Sequence, residues 1–243
     1  MPKKISLKQF LMRTGIFEKM YDCMQAAKDG RVTINNKAVI NPNYFFNPKK
    51  SLVIFDGKKL NPAANLYFLM NKPLGLICQK SSSEKNIYDL IKKLGLPKEQ
   101  TLSLFAVGRL DKETEGLIII TNDGKISKFV SEPKNEIKKE YYAKLQNPIS
   151  AQEIKKLEQG IKIDVNRKSY TTMPSKISAI GEKELHIAIF EGKKRQVRKM
   201  FENLGNEVVH LKRISIGKLS LGNLKTGGFK EIGREEIIEG LEY

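Results

Sequence analysis

The chain has 243 residues, which is enough for one large domain or two modest ones with a real core. Its 44 lysine and arginine residues against 27 acidic residues give a formal net charge of +17, which favours a polyanionic partner, with a membrane surface as the lesser candidate. No apolar run is as long as a membrane span, the N-terminus lacks the apolar core of a secretion signal, and Cys23 and Cys78 lack the companions of a disulfide framework or zinc site. These absences favour a soluble protein of a reducing cytoplasm.

The first quarter of the chain predicts a compact basic module that begins with two helices. Residues 1–62 hold 12 basic and 4 acidic side chains, a net charge of +8. Within residues 5–28, Ser6 and Gln9 have the spacing of a capping box, and Gly15 interrupts the apolar stripe before a second stripe begins. Two short helices are therefore expected here.

Small strands are predicted to follow the two helices. In "DGRVTINNKAVINP" the apolar residues alternate on either side of Asn35-Asn36, which predicts a hairpin. The stretch "SLVIFDGKKL" predicts one more strand, which ends in an Asp-Gly turn.

This order of elements resembles the RNA-binding domain first described in ribosomal protein S4. The matching residues are "ISLKQFLMRTGI", "AAKDGRVTINNKAV" and "VIFDGKKL". In that family the helix pair and the following loop present basic side chains to structured RNA, so the resemblance implies an RNA-binding domain over residues 1–61. For any single lysine, the solvated face of an amphipathic helix is an equally good reading. The implied RNA contacts are Lys8, Arg13, Lys19, Lys28 and Arg31.

Residues 62–243 predict a second domain of the α+β class. Strand patterns in "NLYFLMNKPLGLIC", "KKEYYAKL" and "ELHIAIF" outnumber the helical patterns, among which "NIYDLIKKLG" and "SAQEIKKLEQG" are the clearest. Because the strands and helices show no regular alternation, we expect a mixed, mainly antiparallel sheet.

The stretch "AVGRLDKETEGLIIITNDG" places polar residues directly ahead of a buried strand. Residues 116–121 are apolar on both faces, which predicts an inner strand, and "NDG" predicts a turn after it. In an extended "GRLD" segment, Arg109 and Asp111 point to the same side. From these residues alone, a solvated pair in a surface loop is the ordinary reading, and a functional loop held by a rigid scaffold is the alternative.

Four blocks together resemble the pseudouridine synthases that modify ribosomal RNA and carry an S4-like domain in front. They are "NKPLG", "VGRLDKETEGLIIITNDG", "KEYYAKL" and "EGKKRQVRKMF", and the likeness runs from about Ile5 to the "GFKEIGREEI" tail. The resemblance implies that uracil is detached from its ribose, rotated and rejoined through carbon 5. It also implies that no cofactor or metal is needed.

The resemblance assigns three catalytic positions. Asp111 is the essential carboxylate, which suits oxocarbenium character on the sugar, whether it adds to the anomeric carbon or removes a sugar proton. Arg198 matches the basic residue that keeps this carboxylate ionised, although one more helix-surface arginine is the simpler reading of the residue alone. Tyr141 matches the tyrosine that stacks on the extruded base near carbon 5.

Two adjacent tyrosines make the third assignment a question of register. Adjacent strand residues face opposite sides, so only one of Tyr141 and Tyr142 enters the site, and the motif favours Tyr141. Core or cross-strand packing of both rings is the alternative. We read His186 and His210 as structural, because they lie within strand patterns without metal-like spacing.

Further basic residues are candidates for contacts with RNA. Five of the seven residues from Lys193 to Lys199 are basic, which fits a backbone clamp beside a base-flipping pocket, although such a run is ordinarily a solvated face. By resemblance, Leu211, Lys212 and Arg213 help to line that pocket. Arg109 is a candidate to contact RNA phosphate or to occupy the space that the base vacates, and Lys72 is a candidate for similar work, with "NKP" as the simple end of a strand as the alternative. The candidate RNA contacts of this domain are therefore Arg109, Lys72, Lys193, Lys194, Arg195 and Lys199.

The expected partner is ribosomal RNA or a ribosomal-subunit assembly intermediate, and a monomer without membrane contact is expected. Arg195 and the tail "LGNLKTGGFKEIGREEI" resemble the large-subunit enzymes more than the small-subunit ones. A non-enzymatic RNA-binding or assembly factor is the rival reading, but it leaves Asp111, Tyr141 and Arg198 unexplained. A glycoside hydrolase fits poorly, because neighbouring carboxylates in one loop do not flank a bond and the chain is strongly basic.

Overall fold

The computed structural model describes residues 4–242. The first part of the chain forms short elements, in the order β1 (Ile5–Ser6), α1 (Leu7–Thr14), α2 (Met20–Lys28), β2 (Val32–Ile34), β3 (Lys37–Ala38), β4 (Phe45–Phe46), β5 (Val53–Phe55) and β6 (Lys58–Lys59).

Longer strands follow, separated by helices. Their order is β7 (Tyr67–Lys72), α3 (Ile87–Ile91), α4 (Lys98–Ser103), β8 (Phe105–Val107), β9 (Glu115–Thr121), α5 (Gly124–Ser131), β10 (Lys139–Leu145), α6 (Ala151–Gln159), β11 (Lys162–Val165), β12 (Lys168–Thr171), β13 (Lys176–Ala179), β14 (Glu184–Ile189), α7 (Gln196–Glu202), β15 (Val208–Ile216), β16 (Leu219–Ser220), β17 (Phe229–Glu231) and α8 (Arg234–Leu241). Two 3₁₀ turns, Lys92–Leu94 and Pro133–Asn135, complete the described secondary structure.

The chain forms two compact units. The first comprises the described residues up to Leu66 together with Ile91–Phe105, and the second comprises Tyr67–Leu90 and the residues from Ala106 onward. The domain boundary predicted between residues 61 and 62 stays a prediction. The first compact unit extends to Leu66, a few residues beyond that boundary, and also includes Ile91–Phe105.

The helices of the first unit follow the sequence prediction. The Ser6 side chain accepts from the backbone of Gln9, and the Gln9 side chain accepts from the backbone of Ser6, which completes the capping box. The first helix ends at Gly15, whose φ of 71° lies in the left-handed region that glycine adopts readily. The buried core of this unit includes Leu7, Phe10, Leu11, Val32 and Phe46.

The predicted hairpins of the first unit are also present. Asn35 and Asn36 have φ values of 49° and 65°, the two left-handed residues that a tight primed turn needs between β2 and β3. A second tight turn at Asp56 and Gly57 joins β5 to β6. The four strands form a sheet in the order β3-β2-β5-β6.

The second unit is built on a mixed, mainly antiparallel sheet, which confirms the predicted fold class for this part of the chain. Its main path runs β13-β14-β10-β15-β9-β7-β17. The pairing of β15 with β9 is parallel, and the other pairings along this path are antiparallel. β9 lies inside the sheet, and its residues 117–120 are fully buried, as the apolar run predicts.

Gly116 lets β9 lie close against β15. At Gly116 a Cβ atom would lie 2.2 Å from the carbonyl oxygen of Arg213, so glycine allows the close approach of β9 to β15.

The turn predicted at residues 122–124 instead begins a helix. The Asp123 side chain accepts from Lys125 N at 3.0 Å and caps α5, a use of aspartate that the turn prediction did not consider.

No helix in the described part of the chain is long and apolar enough to cross a membrane.

Candidate active site

One cavity of the second unit brings two of the main sequence candidates together. Its volume is about 600 Å³, and Asp111 and Tyr141 both line it. Asp111 arrives from the loop that precedes β9, whereas Tyr141 lies on β10, so residues 30 positions apart in the chain share one chamber. Further lining side chains are Cys78, Arg109, Lys139, Tyr170, Glu191, Lys193, Lys194, Arg195 and Arg213.

The loop that carries Asp111 is fixed through its backbone. We call residues 108–114 the GRLD loop. Five successive carbonyl oxygens, those of residues 110–114, each accept a hydrogen bond. Taken in the order of the carbonyls from residue 110 to residue 114, the donors are Cys78 Sγ, Thr114 N, Gly75 N, Arg198 Nη2 and Lys72 Nζ. A loop held at five consecutive peptide groups presents the Asp111 side chain from a rigid support.

Two of these donors are buried cations. Arg198 donates to the carbonyl of Glu113 at 2.7 Å and to the carbonyl of Val208 at 2.5 Å. Lys72 is fully buried and donates to the carbonyls of Thr114 at 2.7 Å and Pro73 at 3.0 Å. Burial lowers the pKa of both groups, which is the ordinary consequence of removing a cation from water.

The position of Lys72 does not support the predicted contact with RNA. A side chain that is 0% exposed has no surface to offer a phosphate, and its ammonium group is engaged with backbone carbonyls. The "NKP" pattern gave no signal of this burial, because a lysine at the end of a strand is ordinarily solvated. Lys72 supports the GRLD loop from inside.

The relation between Arg198 and Asp111 also differs from the sequence expectation. Among residues 4–242, Arg198 makes no ion pair with Asp111 within 4 Å. Its guanidinium instead holds the backbone two residues further on, and the nearby charges of Asp111 and Glu113 oppose the lowering of its pKa by burial. Arg198 therefore holds the loop that carries Asp111 and makes no direct contact with the carboxylate. Its Nε atom is buried without a hydrogen-bond partner.

The structure separates the two adjacent tyrosines. Tyr141 is 8% exposed and lines the cavity. Tyr142 lies on the other face of β10, where its ring makes edge-on contacts with His186 and His210. His210 also lies 3.2 Å from the carboxylate of Glu115, which fits the structural reading of both histidines.

Arg213 is a buried cation on the wall of the cavity. It is 3% exposed, its Nε donates to the carbonyl of Leu117 at 2.7 Å, and its Nη1 lies 3.5 Å from the hydroxyl of Tyr141. The remaining Nη2 atom is buried and has no partner. Of the residues 211–213 that the resemblance places at the pocket, Leu211 and Arg213 line the cavity, whereas Lys212 pairs with Glu115 at 3.5 Å.

Lys139 also lines the cavity; by resemblance it is the lysine of the Lys-x-Tyr motif that sets the register of Tyr141, and the motif gave it no separate role. It precedes Tyr141 by two residues on β10, so both side chains lie on one face of the strand. Its Nζ donates to the carbonyl of Ile137 at 3.0 Å. Burial, and secondarily the charge of Arg213, lowers the pKa of Lys139 to about 8, while Glu191 opposes this shift.

A polar network around Glu191 forms another part of the cavity lining. Glu191 is 6% exposed and accepts from the hydroxyl of Tyr170, from Met173 N at 2.8 Å and from Gln196 Nε2 at 2.8 Å. The hydrogen bond to Glu191 raises the pKa of Tyr170 to about 12, with burial as the second cause. The Lys193 ammonium lies 4.4 Å above the Tyr170 ring. No simple spacing connects these residues, so the sequence gave no sign of this network.

The other predicted cations lie nearer the surface. Arg109 and Lys194 are exposed, and Lys193, Arg195 and Lys199 are half-buried. Arg195 pairs with Glu113 at 2.9 Å and has a φ of 55°, an uncommon backbone conformation for a non-glycine residue. Lys199 donates to the carbonyl of Asp164 at 2.5 Å. Arg109, Lys193, Lys194 and Arg195 all line the cavity, whereas Lys199 does not.

The candidates of the first unit occupy helix ends and one hairpin. Lys19 and Lys28 are exposed at the two ends of α2, and Lys8 is half-buried on α1. Arg13 donates to Asn65 at 3.0 Å. Arg31 pairs with Asp56 and lies over the ring of Phe55, which leaves it less free than the lysines.

Comparison with known proteins identifies the kind of enzyme. The family model described as RNA pseudouridylate synthase matches residues 66–203. This chain belongs to the RNA pseudouridylate synthase family. It is accordingly an isomerase that acts on RNA, as the sequence blocks predict. Among residues 4–242, no group of three histidine, cysteine or acidic side chains has the arrangement of a metal site.

Three similar proteins illustrate the match. The large-subunit pseudouridine synthase B of Bacillus subtilis is 33% identical over 76% of this chain and 75% of its own length. The small-subunit pseudouridine synthase A of Vibrio cholerae is 33% identical over 81% of this chain and 82% of its own. A crystal structure of a pseudouridylate synthase superposes with a TM-score of 0.69 at 26% identity, covering 97% of this chain and 99% of the other.

Proposed function

We propose that this enzyme converts a uridine of ribosomal RNA to pseudouridine, and that Asp111 is its essential catalytic group. The observation that carries the proposal is the meeting of Asp111 and Tyr141 in one cavity, from separate elements, beside a cluster of cations. A uridine flipped out of its RNA would find a carboxylate for the sugar and an aromatic ring for the base in the same chamber.

The rigid GRLD loop suits the role of Asp111. Breaking the bond between ribose and uracil builds positive charge on the sugar, which a carboxylate stabilises by charge or by direct attack. Because such catalysis depends on placing the carboxylate closely against carbon 1′ or carbon 2′, five fixed carbonyls behind it favour a high rate. Arg198 and Lys72 are positioning residues in this scheme.

The wall formed by Tyr141 suits the base. A phenol ring offers a stacking surface for uracil, and the hydroxyl is held near Arg213 at 3.5 Å. The free Nη2 atom of Arg213 supplies one more donor at this wall. Uracil presents carbonyl acceptors, so a donor of this kind would help to orient the detached base during its rotation.

The cations at the rim suit the RNA backbone. Arg109, Lys193, Lys194 and Arg195 line the cavity, and their side chains are exposed or half-exposed. Phosphate contacts are recognised mainly by charge, so these residues would hold the strand that flanks the flipped nucleotide. Lys199, whose ammonium is already bound to a backbone carbonyl, would contribute less.

The first unit is proposed to be an S4-like RNA-binding domain. Its helix pair, its hairpins and its basic composition support this assignment. Lys19 and Lys28 are the most available of its proposed contacts, since both are exposed and neither has a charged partner among the described ion pairs. Lys8, Arg13 and Arg31 remain proposed contacts.

Large-subunit RNA is the proposed target. The similar proteins carry names for both subunits, so the comparisons do not favour one of them. The preference rests on Arg195 ahead of Gln196 and on the C-terminal tail, both of which resemble the large-subunit enzymes.

Site mapping on ribosomal RNA tests the target. Unmodified large- and small-subunit RNA, as naked transcripts and as partly assembled particles, would be incubated with the enzyme, treated with carbodiimide and read by primer extension. One new stop in large-subunit RNA is expected. A stop confined to small-subunit RNA would overturn the proposed target. No stop on any RNA, with tight binding retained, would favour the rival reading of an RNA-binding factor.

A further inference from the structure

The reaction of this family moves a proton as well as a sugar. When carbon 5 of uracil replaces nitrogen 1 on the ribose, carbon 5 must lose its proton and nitrogen 1 must gain one. Both atoms adjoin carbon 6, so a single group near that edge of the ring could serve both transfers. In the proposed function Asp111 is committed to the sugar, which leaves the proton acceptor for the base unassigned.

We propose that Lys139 is this proton carrier: its neutral amine takes the proton from carbon 5 and its ammonium returns a proton to nitrogen 1. The inference rests on the proposed function, because it assigns a step within the same cavity. Lys139 lines the cavity on the same strand face as Tyr141, two residues away, so its side chain lies beside the ring that would stack on uracil.

The amine has freedom to move. Its described hydrogen bond is to the carbonyl of Ile137 at 3.0 Å, and lysine has three donors on a flexible four-carbon stem. The strand fixes the Cα and Cβ atoms of Lys139. Because its amine is held by one described hydrogen bond, the amine is able to reach a substrate. A carrier needs this combination, because it must approach first carbon 5 and then nitrogen 1.

The surroundings favour an amine that exchanges protons near neutral pH. Burial and the charge of Arg213 on β15 bring the pKa of Lys139 to about 8, although Glu191, which follows β14, opposes them. A base acts best when its pKa is near the working pH. Tyr141 is the nearest alternative, but in the proposed function its ring is committed to stacking on the base. The other titratable groups lining the cavity are Asp111, Cys78, Arg109, Lys112, Glu132, Tyr170, Lys193, Lys194 and Arg195.

The atoms balance without another reactant. The bond between carbon 1′ and nitrogen 1 breaks, and carbon 5 then bonds to carbon 1′ while it still carries its hydrogen. The electron pair of the bond between carbon 5 and hydrogen returns to the ring as the neutral amine accepts the proton. Nitrogen 1, left with the negative charge, takes a proton from the ammonium. The amine is neutral again, and uridine has become its isomer.

The test compares a base with a fixed cation. An RNA substrate labelled with tritium at carbon 5 would be used in single turnovers with the wild type, Lys139→Met, Lys139→Arg and the control Lys144→Met. Lys144 lies on the same strand but on its exposed face, paired with Glu184 at 3.0 Å. Melting temperature and RNA affinity would be measured for every variant.

The expected result is a loss of tritium release of about 100-fold or more in both Lys139 variants, the range of general-base catalysis, and no loss in Lys144→Met. Arginine keeps the positive charge but stays protonated, so it offers no neutral base and should not rescue the rate. The wild-type rate should rise with pH up to about 8 and then level, and this dependence should vanish in the variants. With deuterium at carbon 5, the isotope effect should grow in Lys139→Met, because proton removal then limits the reaction.

Two results would contradict the inference. Activity retained by Lys139→Arg, with wild-type pH dependence, would mean that Lys139 only holds a negative charge. An unchanged isotope effect in Lys139→Met would mean that the residue acts at another step. If the wild type itself released no tritium from any ribosomal RNA, the proposed function would fail and this inference with it, an outcome distinct from the first two.

Discussion

The Lys72→Met variant tests whether Lys72 supports the GRLD loop from inside the protein or contacts RNA, as the sequence suggested. Methionine has a similar length and leaves the carbonyls of Pro73 and Thr114 without their donor. Hydrogen bonds to a charged group contribute about 1.5–3 kcal/mol each, so the gross loss is about 3–6 kcal/mol. Removal of a cation whose burial is unfavourable offsets part of this loss. We therefore expect a net destabilisation of roughly 2–4 kcal/mol, which combines these terms.

Thermal unfolding and RNA binding as a function of salt are the two assays. For a protein of this size each kcal/mol lowers Tm by about 2–4 °C, so Lys72→Met should lower it by roughly 5–15 °C. The salt dependence of RNA binding should be unchanged, because a buried lysine releases no counterion. Turnover should also fall, since the carbonyl of Thr114 no longer holds the loop of Asp111.

Lys194→Met is the matched control, since Lys194 is exposed at the rim of the same cavity. It should leave Tm within about 1–2 °C, as surface substitutions usually change stability by less than about 0.5 kcal/mol. It should reduce the slope of log affinity against log salt by about 0.7–0.9, the effect of one lost phosphate contact. A reduced slope with unchanged Tm in Lys72→Met would refute the structural role of Lys72.

Three further predictions follow from the site. Tyr141→Leu should lower turnover by 100-fold or more, which is about 3 kcal/mol of transition-state stabilisation. Tyr142→Leu should change turnover less than a few-fold, because its ring contacts His186 and His210 and does not line the cavity. Single-turnover rates measure both effects, and the reverse order would contradict the assignment of Tyr141. Arg195→Gln removes a half-exposed ion pair with Glu113, so urea unfolding should change by less than about 1 kcal/mol, and a larger loss would mean that the pair anchors the loop. Lys139 has a pKa of about 8 in the folded protein and an ordinary value of 10.5, so between these pH values the unfolded chain binds more protons. The stability of the wild type relative to Lys139→Met should therefore rise with pH over this range. A stability difference that does not change with pH would contradict the lowered pKa.

The elements that the sequence predicted best are those set by local rules. The capping box at Ser6, the helix in "SAQEIKKLEQG" and the strand over residues 116–121 depend on neighbouring residues, and the structure has each of them. The turn predicted at residues 122–124 became the start of α5, because an aspartate that ends a strand can equally cap a helix. Local patterns do not distinguish these two uses of aspartate.

The meeting of Asp111 and Tyr141 was predictable only through resemblance to a family. Burial of Lys72 was not predictable, since it depends on β9 and the GRLD loop closing over the end of β7. The same holds for Arg198, whose guanidinium reaches the backbone of Glu113 rather than the carboxylate of Asp111. The network of Glu191 draws on residues from several strands and loops, and their spacing in the chain carries no pattern.

Conversion of labelled uridine by the wild type and by Asp111→Asn is the measurement that tests the central claim most directly. Ribosomal RNA transcribed with labelled uridine would be incubated with each protein, digested to nucleosides and separated by chromatography, because the product is an isomer with the same mass. Asparagine keeps the size of the side chain and removes its charge, and RNA affinity should stay within a few-fold. The account predicts pseudouridine with the wild type and none above background with Asp111→Asn. Equal conversion by both proteins would contradict the assignment of Asp111 as the essential group.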